Sequence, residues 1–345
     1  MSPPSPLPSA PRSSPAVGGR DGDLSAEAPA EAATPRDAAP VDPQPPRNRI
    51  GTADFSVLMP VYWADQPIDV EEAFRSVTDH QELAPAQVVV VRDGPVGPAL
   101  TDVLAALARR RGVSLVTLPA NRGLAGALNA GLAACRFDVV ARQDADDLSA
   151  PTRFSCQVPL VQSGELDLVG SAMREFSTGS VGPAGSAAAR SAVAAKAIGG
   201  VGPVGAVTYG RIRSYPLTEP EIRRTAKLIN PFAHPTVVTR RSLILAAGGY
   251  RNFFHLEDYD LWVRMLQAGV KAANLPDPLV DYRVSPAARR RRGGLKTLRA
   301  EVALQREFLD SGFINRAEWL RDLLLRGGLE LAPAPILSLA LRHLL

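Results

Sequence analysis

The sequence predicts an α/β protein built on an open, mostly parallel sheet flanked by helices, and three observations carry that expectation. Short apolar runs alternate with longer amphipathic stretches between residues 55 and 142. One run, Val88-Val89-Val90-Val91, is valine throughout, as suits a strand covered on both faces. Tyr62, Asp93 and the acidic stretch Asp144-Ala145-Asp146-Asp147 each directly follow such a run. In open α/β sheets ligands bind at the carboxyl ends of the strands, so these loops, far apart in sequence, are expected to meet.

Composition divides the chain. Of 31 prolines, 12 lie before residue 50 among Ala, Ser and Gly, which predicts a disordered tail over residues 1–52. That tail lacks a basic start followed by an apolar run, so no signal peptide is expected, and no stretch of ~18 apolar residues offers a membrane span. Cys135 and Cys156 are too few for a disulfide framework or a zinc site; they fit a reducing, cytoplasmic setting and are expected to be packing residues. A hydrophobic content of 46% over 345 residues supplies a sizeable core, assigned to a domain at 53–284 and followed by a basic helical extension at 285–345. Residues 283–345 carry 12 Lys/Arg against 6 Asp/Glu, leaving the body slightly acidic and disfavouring nucleic acid as a partner.

In chain order, Phe55–Val61 reads as the first strand, and Pro67 opens a helix through Val70, Phe74 and Val77. Gln87–Val91 is the second strand, ending at the turn Arg92-Asp93-Gly94; a helix from Pro98 to Arg111 and a strand from Val113 to Leu118 follow. Leu124, Leu128 and Leu132 share one face of the next helix, and the chain returns at Val139 to a fourth strand. A helix from Pro151 to Gln162 and a strand over Leu166–Gly170 come next. Residues 177–209, nearly all Gly, Ala, Ser and Val, are expected to be a flexible insertion. Thr218-Glu219-Pro220-Glu221 has the form of a capping box opening a helix to Lys227. Leu279–Arg283 reads as the last strand. Beyond it Leu295, Leu298, Val302 and Leu309, widened by Leu304 and Phe308, make a helical stripe, and Trp319, Leu320, Leu323 and Leu324 another.

Two acidic clusters are candidates for chemistry. Alternate residues of an extended chain point to one side, so Asp144 and Asp146 can face one ligand from a strand end. Such oxygen donors suit Mg²⁺ or Mn²⁺, although a solvated turn capping the next helix is the plainer reading. Glu257, Asp258 and Asp260 open the helix of Leu261, Trp262 and Met265, where acids also suit the positive end of the dipole.

Taken together, the motifs resemble family-2 glycosyltransferases, most like the bacterial capsular and exopolysaccharide enzymes. The resemblance rests on Phe55-Ser56-Val57-Leu58-Met59-Pro60-Val61-Tyr62, Val91-Arg92-Asp93-Gly94, Asn121-Arg122-Gly123-Leu124, Gln143 to Phe154, Asn230-Pro231-Phe232-Ala233-His234 and Gly248 to Trp262, in that order. It implies a GT-A fold, Rossmann-like, over most of residues 54–284. It implies an inverting, metal-dependent, hexosyl-type transfer from a nucleotide-sugar donor, UDP-linked, to a carbohydrate or lipid-linked acceptor in polysaccharide biosynthesis.

By the same resemblance Val61, Tyr62, Asp93 and Arg122 form the nucleotide end. Asp146 holds Mn²⁺ or Mg²⁺, Asp144 reaches ribose or metal, and Asp147 supports either. Asp258 is the general base and Glu257 orients acceptor or base. His234, Arg283 and Arg292 are candidate contacts to diphosphate or acceptor, and His255 a further candidate for the metal shell. Arginine forks suit phosphate oxygens. Ser285-Pro286-Ala287-Ala288 departs from the turn expected between Arg283 and Arg292.

A catalytically silent nucleotide-sugar-binding relative is the alternative; it would keep Asp93 and the sheet but would not need both acidic clusters. Nucleotidyl transfer would want a glycine-rich phosphate loop, which Met59-Pro60-Val61-Tyr62 is not. The basic C-terminal excess and Ile336–Leu345 leave open peripheral contact with the inner face of the cytoplasmic membrane.

Overall fold

A computed structural model describes residues 51–178, 207–284 and 295–322. Within them nine strands form one sheet: β1 (Gly51–Val61), β2 (Leu83–Asp93), β3 (Val113–Leu118), β4 (Val139–Arg142), β5 (Leu148–Ser149), β6 (Leu168–Thr178), β7 (Val207–Arg213), β8 (Val238–Arg240) and β9 (Ala272–Arg283). Their spatial order is β3-β2-β1-β4-β8-β6-β9-β5, with β7 on β6. The β3-β2-β1-β4 half is parallel throughout, as the β-α alternation predicts. Beyond β4 the sheet is mixed: β8 runs antiparallel to β4 and β6, β9 parallel to β6, and β5 and β7 pair antiparallel with β9 and β6.

The helices are α1 (Pro67–Val77), α2 (Pro98–Ala108), α3 (Gly123–Ala134), α4 (Arg153–Gln162), α5 (Glu219–Thr225), α6 (Arg241–Ala246), α7 (Glu257–Gln267) and α8 (Leu295–Asp310). Proline stands in the first turn of α1, α2 and α5, where its missing N–H costs nothing. The Thr218–Glu221 capping box forms, with Glu221 accepting the Thr218 N–H at 3.0 Å. Alternation along β1 divides the core. Phe55, Val57, Met59 and Val61 pack with α1, α2 and α4 on one face, while Leu58, Val89 and Val91 pack with α3 and α7 on the other. Trp262, fully buried in α7, meets Phe232 edge to face at 6.0 Å and anchors the second half.

Several expectations need correction. The insertion expected at 177–209 begins and ends inside strands, because Ser177 and Thr178 of β6 pair with Thr208 and Val207 of β7; its remainder lies outside the described residues. β6 and β9 are longer than the apolar runs that marked them. Cys135 is buried, but Cys156 is exposed on the outer side of α4, so it is not a packing residue. On α8, Val302 is exposed, and the buried face is Leu304 and Phe308, with Ile314 beyond. Trp319 packs against the core while Leu320 is 52% exposed. Leu323, Leu324, the tail before residue 51, Arg289–Arg292 and Ile336–Leu345 lie outside the described residues. Among the described residues no helix is long and apolar enough to cross a membrane.

Candidate active site

The site lies at the carboxyl edge of the parallel half. Val61 pairs with Arg92 and Leu58 with Arg142, so the loops after β1, β2 and β4 leave the same edge. Val61 is fully buried and Tyr62 half-buried, with Trp63 set edge to face against Tyr62 at 6.1 Å. Asp93 ends β2 and is buried. Its Oδ1 accepts the Arg122 N–H at 2.7 Å, so Asp93 fixes the entry to α3 while the Arg122 side chain stays exposed. Gly94 allows this contact: its φ is +86°, and a Cβ there would lie 2.5 Å from the Asn121 nitrogen.

Beyond β4 the chain turns through Gln143–Asp147 into β5, which docks on β9. Donor oxygens of Asp144, Asp146 and Asp147 all lie within 4.8 Å of one another. A buried scaffold shapes the turn. Arg153, fully buried on α4, donates to Gln143 Oε1 and Ser149 Oγ at 2.8 Å each and to the Arg142 carbonyl at 2.7 Å. Gln143 in turn donates to the Asp147 carbonyl at 2.7 Å.

The three carboxylates have different neighbours. Asp144 pairs with buried Arg142 at 2.5 Å. Asp147 Oδ1 accepts the Arg283 N–H at 2.8 Å, while its buried Oδ2 has no hydrogen-bond partner among the described residues. Burial, then the Asp144 charge, pushes Asp146 up to about 6. Burial and both neighbouring carboxylates hold Asp147 well above the usual range. A buried oxygen lacking a partner among mutually repelling carboxylates fits a divalent cation, whose charge would relieve the repulsion and whose shell takes oxygen ligands.

Asp65, absent from the sequence-derived candidates, also faces this cluster. Its Oδ2 accepts the Tyr62 N–H at 2.8 Å. Burial pushes its carboxyl up to about 7 against that hydrogen bond, and the charges of Asp146 and Asp144 add to the rise. No sequence pattern set it apart from a loop acid.

The second acid cluster opens α7. Glu257 and Asp258 are both buried. Asp258 Oδ2 accepts from Asn230 Nδ2 at 2.7 Å and Oδ1 from the Tyr259 N–H at 2.8 Å. Burial, then the adjacent Asp258 charge, pushes Glu257 up to about 7, and burial raises Asp258 against the Asn230 hydrogen bond. Asp260 is different: Arg264 binds it at 2.6 Å and Arg251 lies at 3.7 Å, so it is a structural ion pair. Arg142 connects the clusters electrostatically, favouring the ionised forms of Glu257 and Asp258 while paired with Asp144.

Of the remaining candidates, His234 is buried with Nε2 3.2 Å from the Tyr250 hydroxyl. Burial, then Arg142, holds its imidazole well below the ordinary range, hence neutral. His255 is exposed at φ 60°, its ring 4.0 Å from that of Phe254. The Arg283 guanidinium is engaged by Glu72 at 2.9 Å, Asp69 at 3.2 Å and the Asp146 carbonyl at 2.8 Å, and lies over Phe176. It braces the acid turn against α1. Arg292 lies outside the described residues. Asn129 links the two halves: it donates to the Tyr250 carbonyl at 2.8 Å and accepts the Tyr250 N–H at 2.9 Å.

A family profile described as "Glycosyl transferase family 2" matches residues 56–241. The chain is 31% identical to an Escherichia coli UDP-Gal:alpha-D-GlcNAc-diphosphoundecaprenol beta-1,3-galactosyltransferase, over 82% of this chain and 93% of that protein. It is 34% identical to the amylovoran biosynthesis glycosyltransferase AmsE of Erwinia amylovora, over 76% and 89%. Among solved structures, S. aureus TarS 1–349 in complex with UDP-GlcNAc superposes with a TM-score of 0.54 at 14% identity, covering 82% of this chain and 77% of that one. The Pyrobaculum calidifontis mannosyltransferase PcManGT, in complex with GDP-Man and Mn2+, superposes at 0.51 with 17% identity, over 86% and 74%. These last two likenesses concern the fold.

Proposed function

The chain belongs to glycosyl transferase family 2 and has its GT-A fold, and on that premise we propose that it moves a hexose from a UDP-linked donor to a hydroxyl of a lipid-linked sugar in polysaccharide assembly, inverting the anomeric carbon. The observation that carries this reading is the pairing of two unlike acid clusters around Arg142: one suited to a cation, the other buried and able to take a proton. A binding module would need only the first.

In this mechanism Asp93 accepts from the nucleotide base, Tyr62 offers the base a ring face, and Val61 and Arg122 line the same end. Asp144 and Asp146 would hold Mn²⁺ or Mg²⁺, with the second oxygen of Asp147 available to the shell. A cation bound there supplies charge against the departing diphosphate. Asp258 takes the acceptor hydroxyl proton as that oxygen bonds to the anomeric carbon and the bond to diphosphate breaks with its electron pair. One displacement inverts the centre. Glu257, beside it, orients acceptor or base. Arg283 keeps the acid turn in place, and His234 buttresses the acceptor side through Tyr250.

The acceptor class is supported by the E. coli relative, whose name specifies a diphosphoundecaprenol-linked GlcNAc. Such an acceptor would bring the chain to the cytoplasmic face of the membrane, where the basic excess over 283–345 favours anionic lipid. The test is a donor panel of UDP- and GDP-sugars with Mn²⁺ or Mg²⁺, scored for nucleoside-diphosphate release with and without a GlcNAc-diphospholipid acceptor. Metal-dependent release, faster with acceptor, is expected. A donor bound but neither hydrolysed nor transferred would favour the silent relative, and no donor bound would contradict both readings.

A further inference from the structure

Strand β9 passes the acid turn with two faces. Arg283 turns toward α1, contacting Asp69 and Glu72. Tyr282, one residue earlier, points to the other side of the sheet, as alternation requires. There it packs with Tyr215 over Met173, Ala233 and Val280. Ala233 belongs to the segment that begins at Asn230, whose amide holds Asp258. The tyrosine pair is therefore tied to both clusters: through the Arg283 N–H to Asp147, and through residues 230–233 to Asp258.

Tyr215 and Tyr282 are half-buried, seated on apolar side chains. Beside them Arg213 donates through Nε to Glu175 Oε1 at 2.7 Å, and its guanidinium lies 5.9 Å from the Tyr282 ring centroid. The Arg213 and Glu175 side chains retain 28% and 16% exposure. Two tyrosines on one apolar cluster, with a fixed donor–acceptor pair beside them and Arg213 over the Tyr282 ring, match a pyranose. The C–H faces of the sugar carry positive partial charge that meets the negative ring faces, and its hydroxyls exchange hydrogen bonds with guanidinium and carboxylate. Nothing in the chemistry assigned above uses these four side chains.

We propose that Tyr215, Tyr282 and the Arg213–Glu175 pair form the subsite for the acceptor's sugar ring, presenting its attacking hydroxyl to Asp258. This rests on the glycosyltransferase reading. It makes acceptor selection a property of the β6-β7-β9 corner, separate from the nucleotide end.

The test uses the full chain loaded with UDP and Mn²⁺ and follows saturation-transfer NMR of methyl glycosides of glucose, galactose and N-acetylglucosamine. At least one glycoside is expected to show saturation on ring C–H protons. Tyr215→Ala should weaken that binding by roughly threefold to tenfold and Tyr215→Phe should restore it, because the ring face is what stacks. Arg213→Lys, on an exposed strand, should weaken it about threefold by removing the planar fork, and it serves as the second variant should Tyr215→Ala fold poorly. No saturation in the wild-type chain, or wild-type binding by both Tyr215→Ala and Arg213→Lys, would overturn the subsite. The UDP dissociation constant, measured alongside, separates this from failure of the donor reading: UDP that does not bind the wild-type chain contradicts the latter.

Discussion

The two acid clusters are built in opposite ways. Asp144, Asp146 and Asp147 converge on one point beside two guanidinium groups, Arg142 paired with Asp144 and Arg283 donating through Nε to the Asp146 carbonyl, while the Arg283 backbone N–H donates to Asp147. Glu257 and Asp258 make no ion pair among the described residues: the Arg142 charge reaches both without contact, and Asp258 is gripped by an amide and a backbone N–H. Converging carboxylates that repel one another create demand for a cation. A buried pair whose hydrogen-bond donors are neutral instead creates a proton acceptor, because burial raises both carboxyls. On the proposed function, the difference puts charge neutralisation and proton removal on separate turns, one after β4 and one at the start of α7.

Substitutions can break this comparison at either end. The largest effect is expected for Asp146→Ala. Transfer should fall by about 10³-fold or more, because leaving-group charge loses its stabiliser, while thermal stability holds because a repelled carboxylate is removed; near-normal nucleoside-diphosphate release would contradict the assignment. Next, Asp258→Asn should reduce transfer by roughly 10²–10³-fold, with the loss in kcat. A change confined to KM would make Asp258 a binding group. Arg153→Met should cost about 3 kcal/mol in urea denaturation, since Gln143 and Ser149 lose a buried partner, and a loss below about 1 kcal/mol would show that the scaffold tolerates its absence.

The smallest effect sharpens the contrast through pH. Asp146, Glu257 and Asp65 have folded-state values raised to about 6, about 7 and about 7. A raised carboxyl binds its proton more tightly in the folded chain, so its stabilising contribution is complete below the unfolded value and is lost as pH rises through the folded one. Without metal, Tm should therefore decline from about pH 4 to about pH 7. Mn²⁺, which selects ionised ligands, should flatten or reverse that decline. A metal-free Tm rising across the window would contradict it.

How much of this was legible from the sequence follows the same division. In β1 to β4 each strand is an apolar run bounded by turn residues, so period and composition suffice. β6 and β9 hid their lengths because they carry buried polar residues. The Ser171 N–H donates to Thr236 Oγ1, and Asn274 donates to the carbonyls of Pro216 and Pro231, partners that only the fold supplies. β7 was invisible because its residues are exposed or half-buried and adjoin a stretch of Gly, Ala and Ser. At the site, acid spacing marked Asp144 and Asp146, and the family resemblance singled out Asp258. Asp260 differs in having Arg264 four residues on in the same helix, a pairing that the spacing offers; what only the fold adds is the burial of that pair and the approach of Arg251. Arg153 reads as a surface charge on a helix until its burial is seen, and Asp65 as an ordinary loop acid.

The division of labour between the clusters is tested most directly by titrating UDP into the wild-type chain, Asp146→Ala and Asp258→Asn, each with and without Mn²⁺. The expected result is metal-enhanced UDP binding in the wild-type chain and in Asp258→Asn, and none of that enhancement in Asp146→Ala. Enhancement retained in Asp146→Ala, or lost in Asp258→Asn, would contradict the separation of cation and proton between the two turns.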